Sequence, residues 1–428
     1  MAKKPKFQTP TGMHDILPAD QSFFQKIYNT AGNIANFYGY KRIDTPVVEE
    51  AELFSKGIGL GTDIVEKQMY IFRSKGGDYL ALRPEFTAAI VRSYIEHGMF
   101  NLSQPVKLYS AGPLFRLERP QSDRFRQFHQ VNFEVFGEQS PVVDAQIIQI
   151  FYNMLRELKI KNPIVEINSI GDSQCRPYYK KLLVSYFRSR ESSLCADCRR
   201  RLRYNPLRIL DCEEEKCQPI KAQAPQIIDH LCDECKSHFK EVLEFLDEVE
   251  IPYRLNPYLV RGLDYYTKTV FEIFDEPEEG QKGTALCGGG RYDALVRLLG
   301  GKDTPACGGA AGVERIVKIL KEKAKKETAS PPPVKIFLSQ LGELAKRRSL
   351  KLFEEFRKAR IPVAESFGKD SLKTQLRTAD KLGASFALIL GQKEALDGTI
   401  IIRNMKTGKQ ETVKLDKVVR EIEKKLKK

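Results

Sequence analysis

Long apolar runs are missing from this sequence: none approaches the roughly 20 residues that a helix needs to cross a bilayer. The opening stretch MAKKPKFQTP also lacks the apolar core of a secretory signal, so a cytoplasmic protein with no membrane partner is expected. The common nucleotide fingerprints are missing too. No GxxxxGK[ST] occurs, and CGGGRY, Cys287 to Tyr292, has the wrong glycine spacing for a dinucleotide fold, so a nucleotide site must rest on other groups. Tryptophan is absent and histidine occurs five times. His14, His97, His230 and His238 fall in no catalytic constellation, and the strand parity of His129 predicts a core or hydrogen-bonded histidine rather than a catalytic one.

Positive charge is plentiful. Lys and Arg outnumber Asp and Glu by 70 to 56, a formal net charge of +14, which favours a polyanionic partner through counterion release. At 428 residues the chain exceeds what one core usually serves. The charged, proline-rich KEKAKKETASPPP marks a linker at about 326–333, between a region 1–325 and a region 334–428.

Periodicity sketches both regions. A helix is expected from about Ser22 to Phe37, with Asp20 as its N-cap and Gly39 ending it. YKRIDTPVVEEAELF then reads as a strand broken at Pro46. VKLYSAGPLFRLE and FRQFHQVNFEVFG read as two strands of a hairpin. Along the second strand Phe128, Gln130, Asn132 and Glu134 share one face, and Val131, Phe133 and Val135 the other, so one face packs a core while its opposite is oddly polar. The stretch of about 170–253 reads as an insertion with helices of its own. From Val334 on, strand and helix patterns alternate as in a small α/β domain.

Cysteine falls largely in close pairs: Cys195 with Cys198, Cys212 with Cys217, Cys232 with Cys235. In a leaderless chain such spacing suggests metal before disulfide. Cys195, Cys198, Cys232 and Cys235 would make a tetrahedral thiolate zinc site, with Cys212 and Cys217 as competing ligands; reduced thiols in a variable insertion are the alternative. Arginine crowds FRLERPQSDRFRQFHQ, residues 115–130, and returns in RGLDYY and GVER. A planar guanidinium keeps its charge and binds phosphate oxygens bidentately, so these arginines point to a polyphosphate held on an antiparallel sheet.

In this order the segments resemble the class II aminoacyl-tRNA synthetases. GYKRIDTPVVEE is similar to the first motif of that class, at its dimer interface; FRLERPQSDRFRQFHQ to the second, whose hairpin holds ATP and reaches the tRNA acceptor end; GGAAGVERIV to the third, which supplies an ATP-binding arginine. ALRPEFTAAIVR, RGLDYYTKTVFEI and CGGGRYDAL look like segments of the histidyl-tRNA synthetases within the class. The resemblance implies an α+β fold, an antiparallel-sheet catalytic domain with a helical insertion, followed by a C-terminal α/β anticodon-binding domain.

It also implies roles. Glu85, Thr87 and Gln130 would hold the α-amino end of histidine, while Glu134 and Tyr266, with neighbouring Tyr265, would read the imidazole. Arg116 would meet the α-phosphate and the histidine carboxylate, Arg124 the outer phosphates, Arg315 the far end of ATP, and Arg261 the α-phosphate; Gln121 would touch the acceptor end. ATP, Mg²⁺, L-histidine and tRNA(His) are the implied substrates and cofactors, and a homodimer the implied assembly. Asp123 stands where the family usually has glycine, and Gly309 where the third motif commonly has an aromatic. Two other readings compete: a catalytically silent regulatory subunit of ATP phosphoribosyltransferase, disfavoured by the retained arginines and tail, and a synthetase for another amino acid, disfavoured by RGLDYYTKTVFE.

Overall fold

A computed structural model describes residues 6–118, 124–275, 283–326, 335–368 and 371–426. The chain divides into two compact units, Met1–Ala324 and Lys325–Lys428. Among the described residues of the first unit, β1 (Lys41–Arg42), β2 (Val106–Phe115), β3 (Gln127–Phe136), β4 (Pro163–Ser169), β5 (Tyr253–Leu255), β6 (Thr267–Asp275), β7 (Thr284–Arg291) and β8 (Ala306–Gly312) form one sheet, in the order β1-β2-β3-β8-β7-β6-β4-β5. Its centre is antiparallel throughout; parallel pairing is confined to β1 with β2 and β4 with β5 at the edges.

The alternation in β3 decides how the sheet is covered. Val131, Phe133 and Val135 enter a core with Ile27 and Ile34 of α1 (Pro18–Phe37). Apolar side chains of this size contribute about 1.5–3 kcal/mol each on full burial, enough to fix the register. On the opposite face Asn132 and Glu134 are buried as well. The polar face is therefore an interior site wall, approached by α2 (Thr87–Glu96), whose Thr87 reaches Glu134. On the apolar side α3 (Pro141–Glu157) adds Ile147, Ile150 and Phe151 to the core.

Two local readings change. Helix α1 starts at Pro18 rather than Ser22, with Leu17 at the cap and Asp20 inside the first turn. Proline suits the first helical position because its missing N–H would have no partner there anyway. The residues AELF belong not to a strand but to a helix, Ala51–Ile58, which buries Ala51, Phe54 and Ile58 on one face. Helical spacing of three apolar residues outweighs the β-rich stretch before it.

Helices α4 (Cys175–Arg188), α5 (Ala196–Tyr204) and α6 (Asp233–Glu248), with short turns between, fill the segment between β4 and β5. Helix α7 (Val313–Lys326) leaves directly from the end of β8. No helix among the described residues is long and apolar enough to cross a membrane.

The second unit has its own five-stranded sheet, with β9 (Ile336–Gln340) between β10 (Val363–Glu365) and β11 (Phe386–Leu390), extended by β12 (Thr399–Asn404) and β13 (Gln410–Lys414). The first three run parallel and the last two add antiparallel. Ile336, Leu338, Leu352, Phe356 and Leu388 share its core. The buried Gln375 amide accepts from Gln340 N at 3.0 Å and donates to Gln340 O at 2.8 Å, so a side chain completes the hydrogen bonding at the end of β9.

Candidate active site

The strand that carries Gln130 and Glu134 ends at a cleft of about 1130 Å³, walled by Arg116, Arg124, Arg261, Arg315, Gln130 and Glu272. Each arginine arrives on a different element. Arg116 follows β2, donates from Nε to Pro84 O at 3.0 Å and lies 5.1 Å over the Phe128 ring. Burial depresses its pKa, with Glu118 and Glu85 pulling the other way. Arg124 lies 3.8 Å from Glu118, which thus faces both guanidinium groups. Arg315, on the first turn of α7, donates to Ala285 O at 2.6 Å. Gln121, Arg119 and Asp123 lie outside the described residues.

Arg261 pairs with Glu272 of β6 and sits 5.9 Å from the Tyr266 ring centre. The glycines of CGGGRY explain how it gets there. A Cβ on Gly288 would stand 2.6 Å from Arg261 Nη1, so the guanidinium lies flat on a strand that has no side chain at that point. Arginine 291 of the same motif serves differently: fully buried, it is held by Asp144 and by Asp293 at 3.1 Å. Asp293 also accepts from Ala306 N at 3.1 Å, so it braces a turn.

Behind the arginine cleft lies a chain of buried polar groups. Glu85 accepts from Thr87 N at 2.6 Å and Ala88 N at 2.8 Å, capping the start of α2. Thr87 Oγ1 donates to Glu134 Oε1 at 2.6 Å, and Tyr292 OH donates to the other oxygen of Glu134. Burial pushes the Glu134 carboxyl up to about 8, although both hydroxyl donors pull it down. The same strand logic makes room for it: a Cβ on Gly308 would fall 1.6 Å from Glu134 Oε2. Tyr265 and Tyr266, their rings 4.7 Å apart, and Tyr292 close the wall; burial raises Tyr266 to about 12. Glu85, Thr87, Glu134, Tyr265 and Tyr266 thus stand together, and Arg261 joins their wall to the cleft at Tyr266.

Sequence reasoning missed Tyr292. The signal was its place two residues after Gly290, just past the end of a glycine strand that β8 separates from β3, and parity alone does not reveal a partner four strands of sequence away. His129 is satisfied as expected: its backbone N–H donates to both Glu314 oxygens at 2.9 Å and its Nδ1 lies 2.7 Å from one of them. Gly309 needs no aromatic, since a Cβ there would stand 2.8 Å from Phe151.

The cysteine expectation requires correction. Cys195 and Cys198 do not share a cluster with Cys232 and Cys235. The former gather with Cys212 and Cys217, the latter with Asp172 and Cys175. The two CxxC pairs cap different helices, α5 and α6, and each therefore turns to whatever thiols its own helix start faces.

The family model described as histidyl-tRNA synthetase matches residues 12–171 and 209–316, and one described as anticodon binding domain matches 335–425. A protein of Dehalococcoides mccartyi named "Histidine--tRNA ligase" is 45% identical over 423 residues, 98% of this chain and 100% of that one. A protein of the same name from Aquifex aeolicus is 44% identical over 411 residues, covering 96% and 99%. The apo S. aureus histidyl-tRNA synthetase structure superposes with a TM-score of 0.78 at 36% identity, covering 97% of this chain and 99% of that one. With arginine cleft, buried carboxylate wall and full-length likeness in agreement, the chain belongs to the histidyl-tRNA synthetase family.

Proposed function

We propose that the arginine cleft binds ATP and the buried wall behind it binds L-histidine, and that the chain joins the two and passes histidine to tRNA(His). The full-length relatives named as histidine–tRNA ligases support this activity over the regulatory-subunit reading. The observation that carries the site assignment is the junction of the two halves: Arg261, in the cleft, stands over Tyr266, in the wall.

The first step joins a histidine carboxylate oxygen to the α-phosphorus while the bond to the bridging oxygen breaks and pyrophosphate leaves. The attacking carboxylate is already ionised, so no general base is needed. Arg116 and Arg261 are placed to hold the α-phosphate and neutralise charge as it builds, Arg124 and Arg315 to hold the rest of ATP. Glu134 and Tyr266 offer the imidazole polar partners that an apolar isostere would leave unpaired; Glu85, Thr87 and Gln130 are assigned the α-amino end. In the second step a hydroxyl of the terminal adenosine attacks the histidyl carbonyl and AMP departs, with Gln121 assigned to the acceptor end.

The cleft also carries Glu118 and Glu272, oxygen donors of the type Mg²⁺ prefers, so the lining fits that ion. Glu118 and Glu272 would hold the ion, which would supply Lewis-acid neutralisation of the phosphate charge. The second unit is assigned to the anticodon, the first-motif segment GYKRIDTPVVEE to a homodimer interface, and the cytoplasm is the expected compartment.

Histidine-dependent pyrophosphate–ATP exchange tests the reading. The parent protein exchanges with histidine and no other amino acid, and Arg261→Ala lowers the rate about a hundredfold or more while the fold is retained. Absence of exchange in the folded parent protein would sink the assignment.

A further inference from the structure

Nine cysteines are reduced in this structure, and six of them sit with a seventh in two pockets of the insertion rather than at random. In the first pocket the Sγ atoms of Cys195, Cys198, Cys212 and Cys217 all lie within 4.8 Å of one another, and all four residues are buried. Cys195 Sγ and Cys212 Sγ are 3.9 Å apart. That is nearly twice a disulfide bond, and close to the ~3.8 Å edge of a tetrahedron with Zn–S bonds of about 2.3 Å. Backbone N–H groups point at the sulfurs as they do at thiolates: Cys198 N donates to Cys195 Sγ and Cys195 N to Cys217 Sγ, each at 3.3 Å. Cys195 is also the N-cap of α5, where the helix dipole favours negative charge.

The second pocket repeats the design with one oxygen. Asp172, Cys175, Cys232 and Cys235 bring their ligand atoms within 4.8 Å of one another. Cys232, at the N-cap of α6, donates its backbone N–H to Cys175 Sγ at 3.0 Å. Asp172 is oriented by Gln174 N at 2.8 Å and Cys175 N at 3.3 Å.

We propose that the insertion binds two structural zinc ions, one in the Cys195–Cys198–Cys212–Cys217 pocket and one in the Asp172–Cys175–Cys232–Cys235 pocket. Binding replaces the four thiol protons of the first set and the three of the second, which leave to solvent; no sulfur is oxidised. Both centres are closed by four protein ligands, as structural rather than catalytic zinc sites are. Each ion also braces the cleft. The first holds the loop bearing Arg208, whose Nη1 donates to Arg261 O at 3.2 Å and whose Nη2 meets Asp63 at 3.3 Å. The second fixes the start of α4, where Arg176 donates to Tyr266 O and to Gly171 O. The proposal rests on the insertion alone and stands whether or not the site behind it makes histidyl adenylate.

The test is metal analysis of the full chain purified with reductant. Elemental analysis finds two zinc per chain in the parent and in Cys287→Ser, a buried thiol outside both pockets, and one in each of Cys212→Ser and Cys235→Ser. Cobalt(II) in place of zinc, a measurement needing no variant, gives the intense visible bands of tetrahedral thiolate coordination. Iron with a broad visible absorption, or no metal together with unperturbed cobalt spectra, overturns the proposal. A single zinc lost only in Cys212→Ser overturns the aspartate-bearing centre.

Discussion

Glu134, assigned above to the imidazole, carries a folding cost. Burial lifts its carboxyl to about 8 against an ordinary 4.5, so the folded chain holds that proton more tightly than the unfolded one. The sign follows from linkage: stability is whole below the unfolded value and is lost progressively as pH rises towards the folded one. Glu134→Gln keeps an acceptor for one of the Thr87 and Tyr292 hydroxyls, offers the other an N–H to accept from, and removes the titration. Its melting temperature relative to the parent therefore climbs between about pH 5 and about pH 8.5, and a difference that stays constant would show that the carboxyl is not held protonated. The same change weakens kcat/KM for histidine about a hundredfold, because the imidazole loses the carboxyl assigned to pair with it. Gly308→Ala attacks the carboxyl by shape, and its methyl would also stand 2.6 Å from Phe133 O on the neighbouring strand. The new methyl would overlap Glu134, so KM for histidine rises about tenfold or more while KM for ATP holds; equal changes in both constants would show that the strand as a whole had shifted.

At the scale of elements, β3 and α7 share a core through Val131 and Val313, and one carboxylate adds a polar tie. Glu314 accepts from His129 N and faces its Nδ1, and the next residue is Arg315 of the cleft. Glu314→Ala leaves a part-buried N–H without its acceptor, a loss of about 1–3 kcal/mol, and frees the start of α7. KM for ATP rises about tenfold and KM for histidine does not, which steady-state kinetics with each substrate varied will read; the reverse pattern would place Arg315 outside the ATP site. Elements were also where the sequence was most legible. Strict alternation named the hairpin and both faces of β3, since a one-residue slip would expose Val131, Phe133 and Val135. It did not tell that the polar face is interior, because burial there depends on α2 and the glycine strands closing over it. Nor did it tell which thiols meet: CxxC spacing fixes a pair at a helix start, whereas the partners of each pair come from chain folded back across the insertion. AELF misled because its strand-like neighbours outnumber it, while its own three apolar residues keep helical spacing.

The two compact units share no sheet among the described residues, so catalysis of adenylate formation and recognition of tRNA are separable in principle. The catalytic groups assigned above all lie in Met1–Ala324, whereas the anticodon-binding match covers 335–425. A chain ended after Ala324 keeps its arginine cleft and its Glu134 wall. It therefore retains histidine-dependent pyrophosphate exchange within a few-fold, while its kcat/KM for tRNA falls about a hundredfold, about 3 kcal/mol of lost contact. The net charge of +14 adds a salt signature. Each phosphate contact given up with the second unit flattens the dependence of tRNA affinity on salt, so the truncated chain shows a shallower slope of log affinity against log salt than the full one. Exchange lost along with charging would mean that the first unit leans on the second for its own structure. Charging left intact would move tRNA recognition into the first unit, where the arginines beside the cleft would have to supply it.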